Sequence, residues 1–276
     1  MRKRIKKLFG LSLVAVFALA IAYQPSKASA QRHDRDHDDN DYQGEMQERE
    51  EIRQSYELSP GATVEVQGIN GTVDIETTNG QTAEVHIIRF AATKEDLNYH
   101  KILIEHSGNR LVVRGENERD RNQRNRRVRH RVTMKIPRRV DLTTGGVNGR
   151  VNIGEVDGPV KVSGVNGKVS VGQAVGYTEL SGINGSVTIT IAQLSTRGID
   201  ASGINGRVEL RFTEDINADL DVTGINGSVQ ADMPNVTVFG KISRDNFRAK
   251  IGSGGTPIQV SGINGGVRLA RATGAN

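Results

Sequence analysis

Ser181-Gly182-Ile183-Asn184-Gly185-Ser186-Val187-Thr188-Ile189 is the stretch that decides the fold of this 276-residue chain. Asn184-Gly185 places side by side two residues that tolerate positive φ, so the backbone can reverse sharply there. Thr178 and Leu180 before the turn, and Val187 and Ile189 after it, alternate with polar neighbours, which is the period of a strand with one buried face. The unit recurs as Gly146-Val147-Asn148-Gly149, Gly164-Val165-Asn166-Gly167, Gly203-Ile204-Asn205-Gly206, Gly224-Ile225-Asn226-Gly227 and Gly262-Ile263-Asn264-Gly265. Spacings of 18, 18, 21, 21 and 38 residues separate the six first glycines. Such self-similarity marks a repeat architecture in which each unit buries its apolar face only against its neighbours.

The widest gap divides into 20 and 18 when Ser243-Arg244-Asp245-Asn246-Phe247 is aligned on the motif, as a degenerate copy. The pattern therefore predicts an all-β chain. It is a parallel β-solenoid of about seven rungs of 18–21 residues, preceded by a small β-rich N-terminal region. Equal spacing stacks like on like, so Asn148, Asn166, Asn184, Asn205, Asn226, Asn246 and Asn264 are expected to form an asparagine ladder. Ser163, Ser181, Ser202, Thr223, Ser243 and Ser261 make a hydroxyl column beside it. An outlying copy, Gly68-Ile69-Asn70-Gly71, lies upstream. The last rung ends in Arg271-Ala272-Thr273-Gly274-Ala275-Asn276 with no evident cap, which leaves strand edges open to end-to-end self-association.

Outward from the repeats, four segments are expected. Residues 1–30 read as a signal peptide: a basic stretch (Arg2, Lys3, Arg4, Lys6, Lys7), an apolar run from Leu8 to Ala22, and Ala28-Ser29-Ala30 as a cleavage site. Residues 31–56 are a charged, disordered tether, with a short helix near Glu48 to Gln54. Residues 57–140 form the β-rich N-terminal region, and residues 141–276 the repeat domain. The whole chain carries 37 basic and 32 acidic residues, and removing the signal leaves 31 against 32. The basic balance is thus an export device and does not point to nucleic acid. There is no cysteine, hence no disulfide framework.

Val132-Thr133-Met134-Lys135-Ile136-Pro137, then Val140-Asp141-Leu142, repeated Asn-Gly-x-Val units and the closing Lys250-Ile251-Gly252-Ser253-Gly254 together resemble the bacterial putative-adhesin family of β-strand-repeat domains. The likeness spans roughly residues 57 to 270. It implies an extracytoplasmic β-solenoid with an adhesion label, and it carries over no catalytic residue. The Arg-rich segment 119–131 departs from the family.

Candidate chemistry is sparse. The repeats from Thr143 onward contain no His, so their serines lack a local general base. His86, His100, His106 and His130 lie upstream and read as structural rather than as a metal set. Stacked in sequence order, Glu179, Asp200 and Asp221 would bring three carboxylates together in one outward column, flanked by Lys161 and Lys241, a candidate calcium-binding stripe. No other cofactor is implied. Asp39 to Glu50 mimics a calcium loop, with Glu50 at its twelfth position. Arg119, Arg121, Arg124, Arg126, Arg127, Arg129 and Arg131 form a basic hairpin tip suited to a polyanion, without aromatics for base stacking. Glu214-Asp215 and the pair Asp219 and Asp221 are the carboxylates a polysaccharide-acting enzyme would need. The balance favours a non-enzymatic envelope or secreted protein. Its partner would be an envelope or extracellular polymer or protein surface, not a specific nucleic acid, and it would meet the membrane only through its export signal.

Overall fold

The computed structural model describes residues 47–117, 128–173, 175–239 and 246–272. Alternation is obeyed along the strands. In β7 (Val128–Pro137), Val128, His130, Val132, Met134 and Ile136 are buried while Arg129 and Lys135 are exposed. The glycine turns divide each repeat into two strands that fall in two different sheets. One sheet has ten strands and the other eleven, both mostly parallel and neither closed. Their inward residues merge into one continuous core.

Six consecutive-looking rungs run through the middle. Each pairs a strand of the eleven-stranded sheet with one of the ten-stranded sheet: β2 (Ala62–Gln67) with β3 (Gly71–Thr78), β8 (Val140–Gly145) with β9 (Val151–Val156), and β10 (Val160–Ser163) with β11 (Val169–Gln173). Then follow β12 (Thr178–Asn184) with β13 (Val187–Ile191), β14 (Ile199–Asn205) with β15 (Val208–Phe212), and β20 (Thr256–Ile263) with β21 (Val267–Arg271). Beyond β20 and β21 lie β16 (Ala218–Ile225) and β17 (Val229–Asp232). The C-terminal copy is therefore inserted between the two copies that precede it in sequence. The same device operates at the other end. β6 (Arg110–Asn117) and β7 flank β2 and β3 on the outside, so the outlying Gly68 to Gly71 copy is a full interior rung.

Two expectations do not hold. The degenerate copy is not a rung: β18 (Val236–Phe239) and β19 (Asn246–Ile251) run antiparallel to each other, and β19 runs antiparallel to β16. Arg244 and Phe247 stand where the other copies have glycine, and the turn requires glycine. At Gly167, φ is 155° and an added Cβ would come 1.9 Å from the Gly149 carbonyl oxygen of the neighbouring rung. No side chain fits that approach. Second, the C-terminal strands are not an open edge, because β21 has β15 on one side and β17 on the other.

At the N-terminal end, β4 (Thr82–Ala91) pairs with β7, and β1 (Glu48–Glu57) pairs with β4. The expected short helix near Glu48 is thus a ten-residue edge strand, and the strands of the N-terminal region belong to the same two sheets as the repeats. A short helix, α1 (Lys94–Tyr99), capped by the Thr93 side chain, leads into β5 (His100–Ser107), the edge of the eleven-stranded sheet. Among the described residues no helix is long and apolar enough to cross a membrane.

Candidate functional site

The turns that join the two sheets create one long exposed edge. Along it the amide of each asparagine donates to the carbonyl of the next: Asn148 to Asn70 (3.1 Å), Asn166 to Asn148 (3.2 Å), Asn184 to Asn166 (3.0 Å), Asn205 to Asn184 (3.0 Å), Asn264 to Asn205 (2.9 Å) and Asn226 to Asn264 (3.1 Å). Asn70 belongs to this run. Asn246, expected in it, stands instead in β19 opposite Thr223, because its strand runs antiparallel. At the N-terminal end the Asn70 amide donates to the Val128 carbonyl, and the Asn70 backbone N–H to His130 Nδ1 (2.7 and 3.3 Å). His130 is 5 % exposed, and burial, together with Arg89 and His100 nearby, pushes its pKa down to about 4.

Two residues past each asparagine, the chain leaves the turn. Strand register and rung-to-rung backbone bonds place Arg131, Thr72, Arg150, Lys168, Ser186 and Arg207 on successive rungs there. At about 4.8 Å per rung the column runs for roughly 24 Å. Lys168 and Arg207 are exposed, Arg131 and Arg150 half-buried. Arg129, exposed on β7, extends the basic character beyond Arg131. So the structure carries the last two arginines of the expected basic hairpin onto an edge that continues through the repeats. Arg119, Arg121, Arg124, Arg126 and Arg127 lie outside the described residues. Arg150, Lys168 and Arg207 were missed in the sequence although they carry a signal: a cation directly after Asn-Gly in three copies.

The outer face of the eleven-stranded sheet holds the expected carboxylate column in a different order. Register gives Thr143, Lys161, Glu179, Asp200, Gln259 and Asp221 on adjacent strands. Gln259 separates Asp200 from Asp221, because β20 is inserted between β14 and β16. Glu179 is bonded to Lys161 (3.1 Å) and Asp221 to Arg248 (3.3 Å). The three carboxylates do not stack as a calcium stripe, and Lys241 lies outside the described residues. Among the described residues no group of three metal-ligating side chains is brought together. Beside this column the hydroxyls of Ser163, Ser181, Ser202, Ser261 and Thr223 follow one another on five strands.

The remaining candidates disperse. Residues 39–46 of the calcium-loop pattern lie outside the described residues; Glu50, its twelfth position, is bonded to Arg89 (2.5 Å). His86 faces Glu51 (2.8 Å) and His106 stacks on Tyr56 (4.9 Å between centroids). At the opposite set of turns a recess of about 740 Å³ is lined by Arg138, Glu155, Asp157, Glu214 and Asp215 among others. Arg138 donates to Glu155 (2.9 Å) and Asp157 (3.4 Å), and Arg271 pairs with Asp215. Asp219 and Asp221 point elsewhere: Asp219 accepts the Gly255 N–H at 3.0 Å.

No protein-family model matches the chain, and no curated protein matches it either. Solved structures do. A putative cell adhesion protein from Clostridium sporogenes aligns over 82 % of this chain and 100 % of its own at 12 % identity, with a TM-score of 0.37. A putative adhesin from Bacteroides fragilis covers 81 % and 97 % at 13 % identity, TM-score 0.32, and one from Parabacteroides merdae 81 % and 96 % at 10 % identity, TM-score 0.23. The chain is thus similar to proteins of the putative-adhesin kind. Likeness at this level assigns no role to any of its residues.

Proposed function

We propose that this chain is an exported, non-enzymatic envelope protein with an adhesin-like binding role, and that the surface it offers is the basic edge of the stacked turns. The observation that carries this reading is the column Arg131, Arg150, Lys168 and Arg207, set one or two rungs apart along the asparagine ladder with Thr72 and Ser186 between them. The glycine turns fix the backbone and the amide ladder ties rung to rung, so the cations keep their spacing without a ligand. Of these, Lys168 and Arg207 are exposed and add positive charge that a polymer carrying anions at intervals can meet. The partner that suits this edge is an acidic polymer of the envelope or the extracellular matrix. The rows of Thr72, Ser186 and Asn side chains add donors for its neutral oxygens.

Heparin serves as the probe polymer. The chain is expected to be retained on it at physiological salt and released as salt rises. The triple variant Arg150→Glu, Lys168→Glu, Arg207→Glu is expected to elute in the void with an unchanged melting temperature, since all three side chains lie outside the core. Equal retention of the variant and the parent chain would sink the assignment, as would no retention at all.

A further inference from the structure

We infer that the C-terminal end of the molecule is a lap joint for a second copy of this chain, related by a two-fold axis. The two sheets do not end together. Rung β16 and β17 is the last in which they face each other. Past it the eleven-stranded sheet continues for two more strands, β19 and β18, while the ten-stranded sheet stops at β17. The overhang is about 10 Å deep. Its inward face is apolar. Val236 pairs with Ile251 and Val238 with Ala249, and Phe247 lies opposite Val222, all on the core side. Ile251 and Ala249 are covered, but Val236 and Phe247 are half-buried and Val238 is 43 % exposed. Across the step, Ala231 of β17 points the same way as buried Leu269 yet is exposed. The core is thus open on one side where two strands of the ten-stranded sheet are missing.

A second copy supplies those two strands. Turned over by a two-fold axis along the strands, its own overhang presents β18 and β19 in the other layer. The partner's β18 then lies against β17 and faces β19 across the core, and the partner's β19 faces β18. The same contact is made in reverse on the other layer. A step two strands deep is filled by a step two strands deep, which is the self-complementarity an isologous interface requires. The two edges that meet are of equal length, four residues each, Val229–Asp232 and Val236–Phe239. Neither edge is defended. β18 has no charged residue, and the one charge of β17, Asp232, is neutralised by Arg268 at 2.8 Å. By contrast the outer edge of the ten-stranded sheet at the N-terminal end, β1, carries Glu48, Arg49, Glu50, Glu51 and Arg53, the usual device against strand addition. Closing the joint would cover Val236, Val238, Phe247 and Ala231 of both copies.

Sedimentation velocity on the full chain is expected to show twice the 30.0 kDa chain mass, with no larger species. Val238→Lys is expected to return it to monomer while leaving the melting temperature in place, since that side chain is half in water already. The chain has no cysteine, so a pairwise test is clean. Single variants Gln230→Cys and Thr237→Cys, mixed and treated with a short bis-maleimide, are expected to cross-link to each other, and each variant alone is expected to stay uncross-linked. Four results overturn the proposal: a monomer at every concentration, a dimer that survives Val238→Lys, cross-linking of Gln230→Cys with itself (which would mean β17 against β17), or an open series of larger masses.

Discussion

The two ends of this molecule face the same problem and treat it differently. A stack of parallel strands has an end at which core and backbone edges meet water. At the N-terminal end the core is covered, and the edge strand β1 carries charges. Arg89, buried at 6 % exposure, donates to the Leu97 and His100 carbonyls (2.8 and 2.7 Å) and to Glu50, so it clamps the end of α1 onto β4 and β1. Leu97 of that helix packs on Ala91 and Val128. Tyr56 of β1 stacks on His106 of β5, joining the edge strands of the two sheets. At the C-terminal end a hairpin extends one sheet only, and apolar side chains that should face a partner layer face solvent. The contrast teaches that capping is a tertiary property. Both ends insert one copy of the repeat out of sequence order, yet only one of them closes the core.

Substitution of equivalent turn glycines tests the contrast with the largest effect. A Cβ on Gly71 would lie 1.8 Å from the His130 carbonyl oxygen, and one on Gly227 would lie 1.9 Å from that of Gly265. Gly71→Ala is trapped between rungs on both sides and is expected to cost more than about 4 kcal/mol, or to prevent folding. Gly227→Ala sits in the outermost rung, which can yield outward, so its cost is expected to be about half as large. Urea midpoints of the two variants make the comparison, and equal losses would mean that the C-terminal rung is as confined as the N-terminal one.

Arg89→Ala strips the buried Leu97 carbonyl and the half-buried His100 carbonyl of their donor and is expected to cost on the order of 3 kcal/mol. Amide exchange is expected to accelerate in β1, β4 and β5 while β16 to β19 are unaffected. Uniform acceleration would show the ends to be coupled.

The pH dependence of the closed end follows from His130. Its pKa in the fold is about 4, below the ordinary value of 6.5, so between these values the unfolded chain binds the extra proton and the fold does not. Stability from this group is full above pH 6.5 and is lost as pH falls toward 4, by up to about 3 kcal/mol. Thermal melts from pH 7.5 to 4 are expected to show that slope in the parent chain and a flatter one in His130→Phe. An unchanged slope in the variant would place the acid sensitivity elsewhere.

The smallest effect concerns the ladder that joins the ends. Asn184 both donates and accepts along it, and Asn184→Ala is expected to cost about 1–2 kcal/mol. Asn226, at the open end, donates to Asn264 alone within the ladder, and its replacement by Ala is expected to cost roughly half that. Chemical denaturation of the two single variants checks the ratio, and a larger loss at Asn226 would contradict the ladder's end-to-end order.

Much of this was legible in the chain. The Asn-Gly turn, the flanking alternation and the stacking of like on like follow from local rules, and they place Asn148, Asn166, Asn184 and Asn205 correctly. The reading failed where copies had to be ordered. Ile204-Asn205-Gly206, Ile225-Asn226-Gly227 and Ile263-Asn264-Gly265 are nearly identical units. Any of them can stack on any other, so nothing local says that Asn264 follows Asn205. That single exchange dismantled the expected column of Glu179, Asp200 and Asp221 by placing Gln259 within it. The basic edge was overlooked for a related reason: Arg131 and Arg150 are near in space only because an upstream copy, carrying Thr72, is threaded between them.

The sequence by itself determined that this is an all-β repeat protein with a glycine-walled turn and an amide ladder, because those depend on φ, on the absence of a Cβ and on a period of two. Only the tertiary structure decided which rung neighbours which, which end is sealed, and therefore which charges share a column. Strand order depends on the competition between interchangeable surfaces for the same edge, and a one-dimensional repeat holds no record of its outcome.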